Sequence, residues 1–241
     1  MTDTTTTRSL ADLVGTAPDA ARVLESFGLD YCCGGQRTLA DACTARGVSP
    51  EAVLDALAAL EPQPLPDWAT MGPAALVDHL EQTHHAYLHV EMPRLSALAE
   101  KVAGVHGARH PELLDVRRSY EAIRSDLEPH LAKEERVLFP MIRELAAASS
   151  APEPPRFHCG SLQNPIAVML REHDDVGDQL AELRRLTDDF RVPADGCASY
   201  RALYEGLAAL EADTHQHVHK ENNLLFPAVV ALEQALDPTH A

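Results

Sequence analysis

The segments HLAKEERVLFPMI, from residue 130, and HVHKENNLLFPAV, from residue 217, are copies of one pattern. Both fit H-x-x-K-E-x-x-apolar-Leu-Phe-Pro. Every matched position is offset by 87, so that His130 answers to His217, Glu134 to Glu221, Phe139 to Phe226 and Pro140 to Pro227. Such an internal copy of helix-forming residues predicts a duplicated helical hairpin, and two hairpins make a four-helix bundle. Residues four apart lie one turn apart on the same helix face, so each His–Glu pair points one way. On the α-helical period, Ile123, Leu127, Val137 and Met141 share the face of the first pair. Leu207, Leu210, Leu224 and Ala228 share the face of the second. Both pairs are therefore expected to face the core. A buried carboxylate needs a compensating partner, and neither stripe carries a lysine or arginine. A metal ion would supply the missing positive charge.

The helix before each pair should then add ligands. In PIAVMLREHDDVGDQLAEL, His173 lies on the stripe Ile166, Met169, Leu170, Val176 and Leu180. The matching helix, ALVDHLEQTHHAYLHVEMPRL, offers His79, His84, His85 and His89. An offset of 88 maps His173 onto His85 and aligns Val176, Leu180 and Leu183 with Leu88, Met92 and Leu95. An offset of 89 selects His84 and improves the upstream match, setting Val77 rather than Asp78 against Ile166. His85 is preferred, with His84 as its rival. The resulting set holds four imidazoles and two carboxylates, which suits a pair of ions better than one. Nitrogen and oxygen ligation without thiolate suits iron or manganese more than zinc. Glu134 and Glu221 are expected to bridge, with His85 and His130 on one ion and His173 and His217 on the other. His79, His84, His89, His215 and His219 read as surface or supporting residues, and His158 and Cys159 have no assigned role.

The rest of the chain frames this bundle. Helical patterns run at about 73–103, 111–146, 164–190 and 197–235, and no alternating strand pattern stands out. The class is all-α. Domains are expected at 1–61, a small helical domain, and at 73–236, the bundle, joined by a linker at 62–72 that begins PQPLPDW and is rich in proline. Within the small domain, Gly28 and Gly47 read as helix C-terminal glycines, Ser49 as an N-cap with Pro50 behind it, and the threonines from residue 4 as a frayed tail. A net charge of −17 opposes binding to nucleic acid and to anionic membranes. No apolar run reaches the roughly 18 residues of a membrane span, and the first residues lack a secretory pattern, so the expected location is the cytoplasm. Five cysteines, an odd and sparse set, do not suggest a disulfide framework, and Cys43, Cys159 and Cys197 read as structural or incidental.

Cys32 and Cys33 stand side by side in GLDYCCGGQRTL. Adjacent thiols make a strained disulfide, Gly34 and Gly35 allow close backbone approach, and a helix start would favour thiolate. Together with KEERVLFP and KENNLLFP on a duplicated hairpin, DYCCGG resembles the iron–sulfur cluster repair di-iron proteins. These comprise a hemerythrin-like domain behind a small N-terminal domain of the ScdA type, and the resemblance covers residues 8 to 235. It implies two non-haem iron ions, carboxylate-bridged and oxo- or hydroxo-bridged, held by His85, His130, Glu134, His173, His217 and Glu221. It also implies repair of clusters damaged by nitric oxide or oxidants, with damaged iron–sulfur proteins as clients and nitric oxide or oxygen as small ligands. Cys32 and Cys33 would then serve redox or iron transfer. A homodimer is one candidate assembly. Two other functions stay open: an enzyme reducing nitric oxide or peroxide at the same centre, and a module sensing oxygen or iron.

Overall fold

The computed structural model describes residues 3–61, 67–148 and 155–236. Residues 62–66 of the expected linker and residues 149–154 of the loop after residue 148 lie outside the described residues. All regular structure among the described residues is helical, apart from isolated bridges at Ser9–Thr38 and Phe157–Gly160. The chain gathers into two compact units, one of residues 1–76 with 215–241 and the other of residues 77–214.

The first unit opens with a single helical turn, Asp3–Thr6, where the sequence suggested fraying. Four short helices follow: α1 (Leu10–Thr16), α2 (Ala20–Ser26), α3 (Leu39–Arg46) and α4 (Pro50–Ala58). Their ends are chemically marked. Ser9, Thr38 and Ser49 each accept a backbone hydrogen bond from the first turn of α1, α3 and α4. Gly47 closes α3 in the left-handed conformation, at φ +71°. Leu10, Leu24, Leu39, Cys43 and Val53 are buried together with Val218, from a later helix of the same unit.

The second unit is a four-helix bundle. The chain enters it through α5 (Pro73–Leu80) and a π-turn, Glu81–His85. Its rods are α6 (Ala86–His106), α7 (Glu112–Lys133), α9 (Gln163–Leu186) and the first part of α10 (Ala198–Lys220). Leu88, Leu95 and Val102 from α6 meet Val116, Tyr120 and Ile123 from α7, Val176 and Leu183 from α9, and Tyr204 and Leu207 from α10. A Cβ on Gly206 would lie 2.5 Å from Leu95 Cδ2, so a side chain there would have to push the Leu95 tip aside. The division between units falls inside α5 and inside α10.

Both copies of the repeated pattern interrupt their helix in the same way. After α7 comes a π-turn, Glu134–Leu138, and then α8 (Phe139–Ala147). After α10 comes a π-turn, Glu221–Leu225, and then α11 (Phe226–Leu236). The N–H of Phe139 bonds the carbonyl of Glu134, and that of Phe226 bonds Glu221, five residues back rather than four. The cause is local. Pro140 and Pro227 have no N–H, and their rings would strike the carbonyl four residues earlier; a widened turn relieves both problems.

The π-turns shift the register, which corrects part of the stripe read from the sequence. Val137 is 42% exposed, and Leu138 and Phe139 take its place in the core. In the second copy Ala228 is exposed, Leu224 is half-buried, and Leu225 and Phe226 are buried. Leu170 is also 37% exposed, because it stands at the edge of the α9 stripe rather than within it.

Candidate metal centre

In the bundle unit, His85 ends the first π-turn, His130 lies on α7, Glu134 opens the second π-turn and His173 lies on α9; all four are buried. His85 Nε2 stands 3.6 Å from Glu134 Oε2, and His130 Nε2 stands 3.3 Å from the same oxygen. His173 Nε2 is 3.2 Å from His130 Nε2. The bundle unit thus gathers His85, His130 and His173 around the Glu134 carboxylate.

Carboxylates behind the imidazoles orient them. His85 Nδ1 is 3.0 Å from Glu135 Oε1, which also meets His89 Nε2 at 2.7 Å. His130 Nδ1 is 2.9 Å from Glu172, whose other oxygen is bound by Lys133. Donating Nδ1–H to these acids leaves each Nε2 as a lone pair aimed inward. Burial raises the carboxyls of Glu135 and Glu172, yet their histidine and lysine partners win and hold both below the ordinary range. Sequence reasoning missed both acids. The signal was their adjacency, Glu135 directly after Glu134 and Glu172 directly before His173. His84 turns elsewhere, with Nδ1 2.9 Å from Asp213.

Glu134 is the informative residue. It is 0% exposed, and neither carboxylate oxygen has a hydrogen-bond partner among the described residues. One ligand atom each from His130, Glu134 and His173 lies within 4.8 Å of the others. A buried acid facing imidazole lone pairs is an array of acceptors without a donor, which a cation satisfies.

In the other unit, His217 near the end of α10 and Glu221 at its π-turn are fully buried, with Nε2 to Oε1 at 3.2 Å. The thiols sit beside the residues that follow Glu221. Asn223 Nδ2 donates to the Cys32 carbonyl at 3.0 Å, and Asn222 Nδ2 does so at 3.4 Å. A Cβ on Gly35 would lie 2.5 Å from the Tyr31 carbonyl and 2.7 Å from the Asn223 side chain, so only glycine fits.

Residues 30–36 form a turn, not the helix start that the sequence suggested; the next helix begins at Leu39. Asp30 organises it, accepting hydrogen bonds from the N–H groups of Cys32, Cys33 and Gly34. The Cys32 thiol donates to Asp30 at 3.2 Å, and the two sulfurs are 3.9 Å apart, so both thiols are free. The hydrogen bond with Cys33, then burial, then the charge of Asp30 push Cys32 well above its ordinary value, keeping it protonated. One ligand atom each of Asp30, Cys32 and Cys33 lies within 4.8 Å of the others.

Such a bundle, with inward imidazoles and carboxylates, defines a cation-binding helical protein of the hemerythrin class. Residues 76–229 match the hemerythrin HHE cation binding domain, and residues 6–61 match ScdA_N, a domain of unknown function. The chain belongs to the family of iron–sulfur cluster repair proteins built on that domain. It is 35% identical to the iron–sulfur cluster repair protein YtfE of Dickeya chrysanthemi, over 91% of this chain and 95% of that protein. It is 33% identical to a probable iron–sulfur cluster repair protein of Haemophilus influenzae, over 92% and 96% of the two chains. For YtfE of Escherichia coli O157:H7 the identity is 31%, over 93% and 97%. No described helix is long and apolar enough to cross a membrane.

Proposed function

We propose that this chain is a cytoplasmic di-iron protein that repairs iron–sulfur clusters damaged by nitrosative or oxidative stress. Its clients would be iron–sulfur proteins, and it would act by donating iron, by handling nitric oxide, or by both. The observation that carries this reading is the buried Glu134 carboxylate without a hydrogen-bond partner, faced by the Nε2 atoms of His85 and His130. The relatives named for cluster repair extend it to function.

In this reading His85, His130, His173 and His217 would supply imidazoles to the two ions, and Glu134 and Glu221 would supply the carboxylates. Iron so bound would supply redox chemistry and open positions for a small ligand such as nitric oxide or oxygen. Glu135 and Glu172 hold the imidazoles in the ligating tautomer, and apolar neighbours such as Leu131 and Phe139 limit water. The turn of Asp30, Cys32 and Cys33 has two sulfurs and a carboxylate in reach of one another, suited to passing iron or electrons.

The test is iron stoichiometry with optical spectra, followed by transfer. About two irons per chain are expected, with iron leaving for an apo-cluster acceptor. Many turnovers of nitric oxide or peroxide with an electron donor would instead make it a reductase, and stable reversible oxygen binding would make it a sensor. Protein that takes up no metal after reconstitution with ferrous iron would sink the proposal.

A further inference from the structure

Cys197, which the sequence offered no reason to single out, immediately precedes α10 and is exposed. Its Sγ lies 3.1 Å from Nε2 of His106, the last residue of α6. That imidazole is only 4% exposed, and its Nδ1 has no hydrogen-bond partner among the described residues. A buried histidine thus directs a ring nitrogen at a solvent-facing sulfur. Its ring is fixed edge-on against Tyr200, with centroids 5.4 Å apart, and against His110 at 6.5 Å.

The charged surroundings are defined. His110 is held between Asp195, at 3.0 Å, and Glu112, at 3.1 Å, and Arg109 pairs with Asp195 at 3.4 Å. From α10 the backbone N–H of Tyr200, and then that of Ser199, donate toward the sulfur, as at any well-capped helix start. With the His106 hydrogen bond they bring the thiol down to about 7. The arrangement differs from the Cys32 turn, where a carboxylate and a second thiol keep the proton on sulfur.

We infer that Cys197 and His106 form a nucleophilic thiol site whose substrate class is small peroxides. In the step, the Cys197 thiolate attacks one peroxide oxygen, so that an S–O bond forms and the O–O bond breaks. The departing oxygen takes both electrons of that bond and the proton held at His106 Nε2. With hydrogen peroxide the products are Cys197 sulfenic acid, water and neutral His106. Sulfur loses two electrons and the peroxide gains them. The site does not depend on iron.

The test uses the intact, iron-loaded protein. Iodoacetamide is applied across a pH series, and each cysteine is read separately by mass spectrometry. Cys197 should be alkylated with a midpoint near pH 7. At that pH it should react about tenfold faster than the half-buried Cys159. His106→Gln should move the midpoint upward, and brief peroxide treatment with dimedone should label Cys197 in the wild type more than in the variant. Cys197→Ser should lose the label and retain its iron, which separates this site from the metal centre. A Cys197 midpoint above about 8.5, the ordinary thiol value, would overturn the inference. So would dimedone labelling no greater than at Cys159. The wild-type pH profile decides the matter even if His106→Gln fails to fold.

Discussion

The two copies of the repeated pattern share a carboxylate, a π-turn and a Phe–Pro exit, and differ in what comes next. In the first, Glu135 follows Glu134 and turns back to His85 and His89. In the second, Asn222 and Asn223 follow Glu221 and reach the Cys32 carbonyl. Lys133 is partly exposed and pairs with Glu172, whereas Lys220 is buried over the Trp68 ring at 5.2 Å. Where the first copy has Ala132, the second has His219, packed against Tyr31. One scaffold thus does two jobs: the first copy braces imidazoles, and the second grips the thiol turn.

The shared part gives the largest expected effect. Glu134→Ala and Glu221→Ala should each lower bound iron from about two per chain to well below that, since a bridging acid serves both ions. Full iron in either variant would mean that the copies are not equivalent. Next comes Gly35→Ala, which has no counterpart in the first copy. Its Cβ would press on the Tyr31 carbonyl and Asn223, at a cost of about 2–3 kcal/mol in chemical unfolding; a loss under about 0.5 kcal/mol would show that the turn yields freely.

His219 should make the second copy the pH-sensitive one. Burial lowers this imidazole to about 4, against the opposing hydrogen bond to the Tyr31 carbonyl. The folded value lies below the unfolded one, so the unfolded chain binds more protons and acid favours it. The contribution is full above about pH 6.5 and is lost as pH falls toward 4, at a limiting slope of about 1.4 kcal/mol per unit. His219→Gln should flatten the stability profile between pH 6.5 and 5; an unchanged slope would assign the sensitivity to other groups. The smallest contrast pairs Glu135→Gln with Asn223→Ala. The first should weaken iron binding about tenfold or more. The second should leave iron in place, cost about 1 kcal/mol and speed alkylation of Cys33.

Much of this was legible because the repeat is written in residue types as well as spacing. His130, Glu134 and His173 could be assigned to the core because apolar residues mark the same helix faces, and those positions are buried. The π-turns were not legible from a 3.6-residue period, which put Val137 inside and left Leu138 out. Phe–Pro was the available signal, since a proline forces a decision on the carbonyl four residues back. His106 and Cys197 were invisible for a different reason: they stand 91 positions apart and share no motif. The Asp30 turn fell between, with its glycines pointing to crowding but not to Asn223.

A five-residue turn inserted in a rod works as one extra gear tooth. Take one residue out between Glu134 and Phe139 and the same N–H and carbonyl stand four apart, so the rod runs on as plain α-helix with its downstream face unmoved. Straightening the turn with all its residues kept would instead swing the rest by about 100°, and Phe139, Ile142 and Leu145, now buried, would sweep toward water together. The extra residue is what keeps both ends of the rod facing one core.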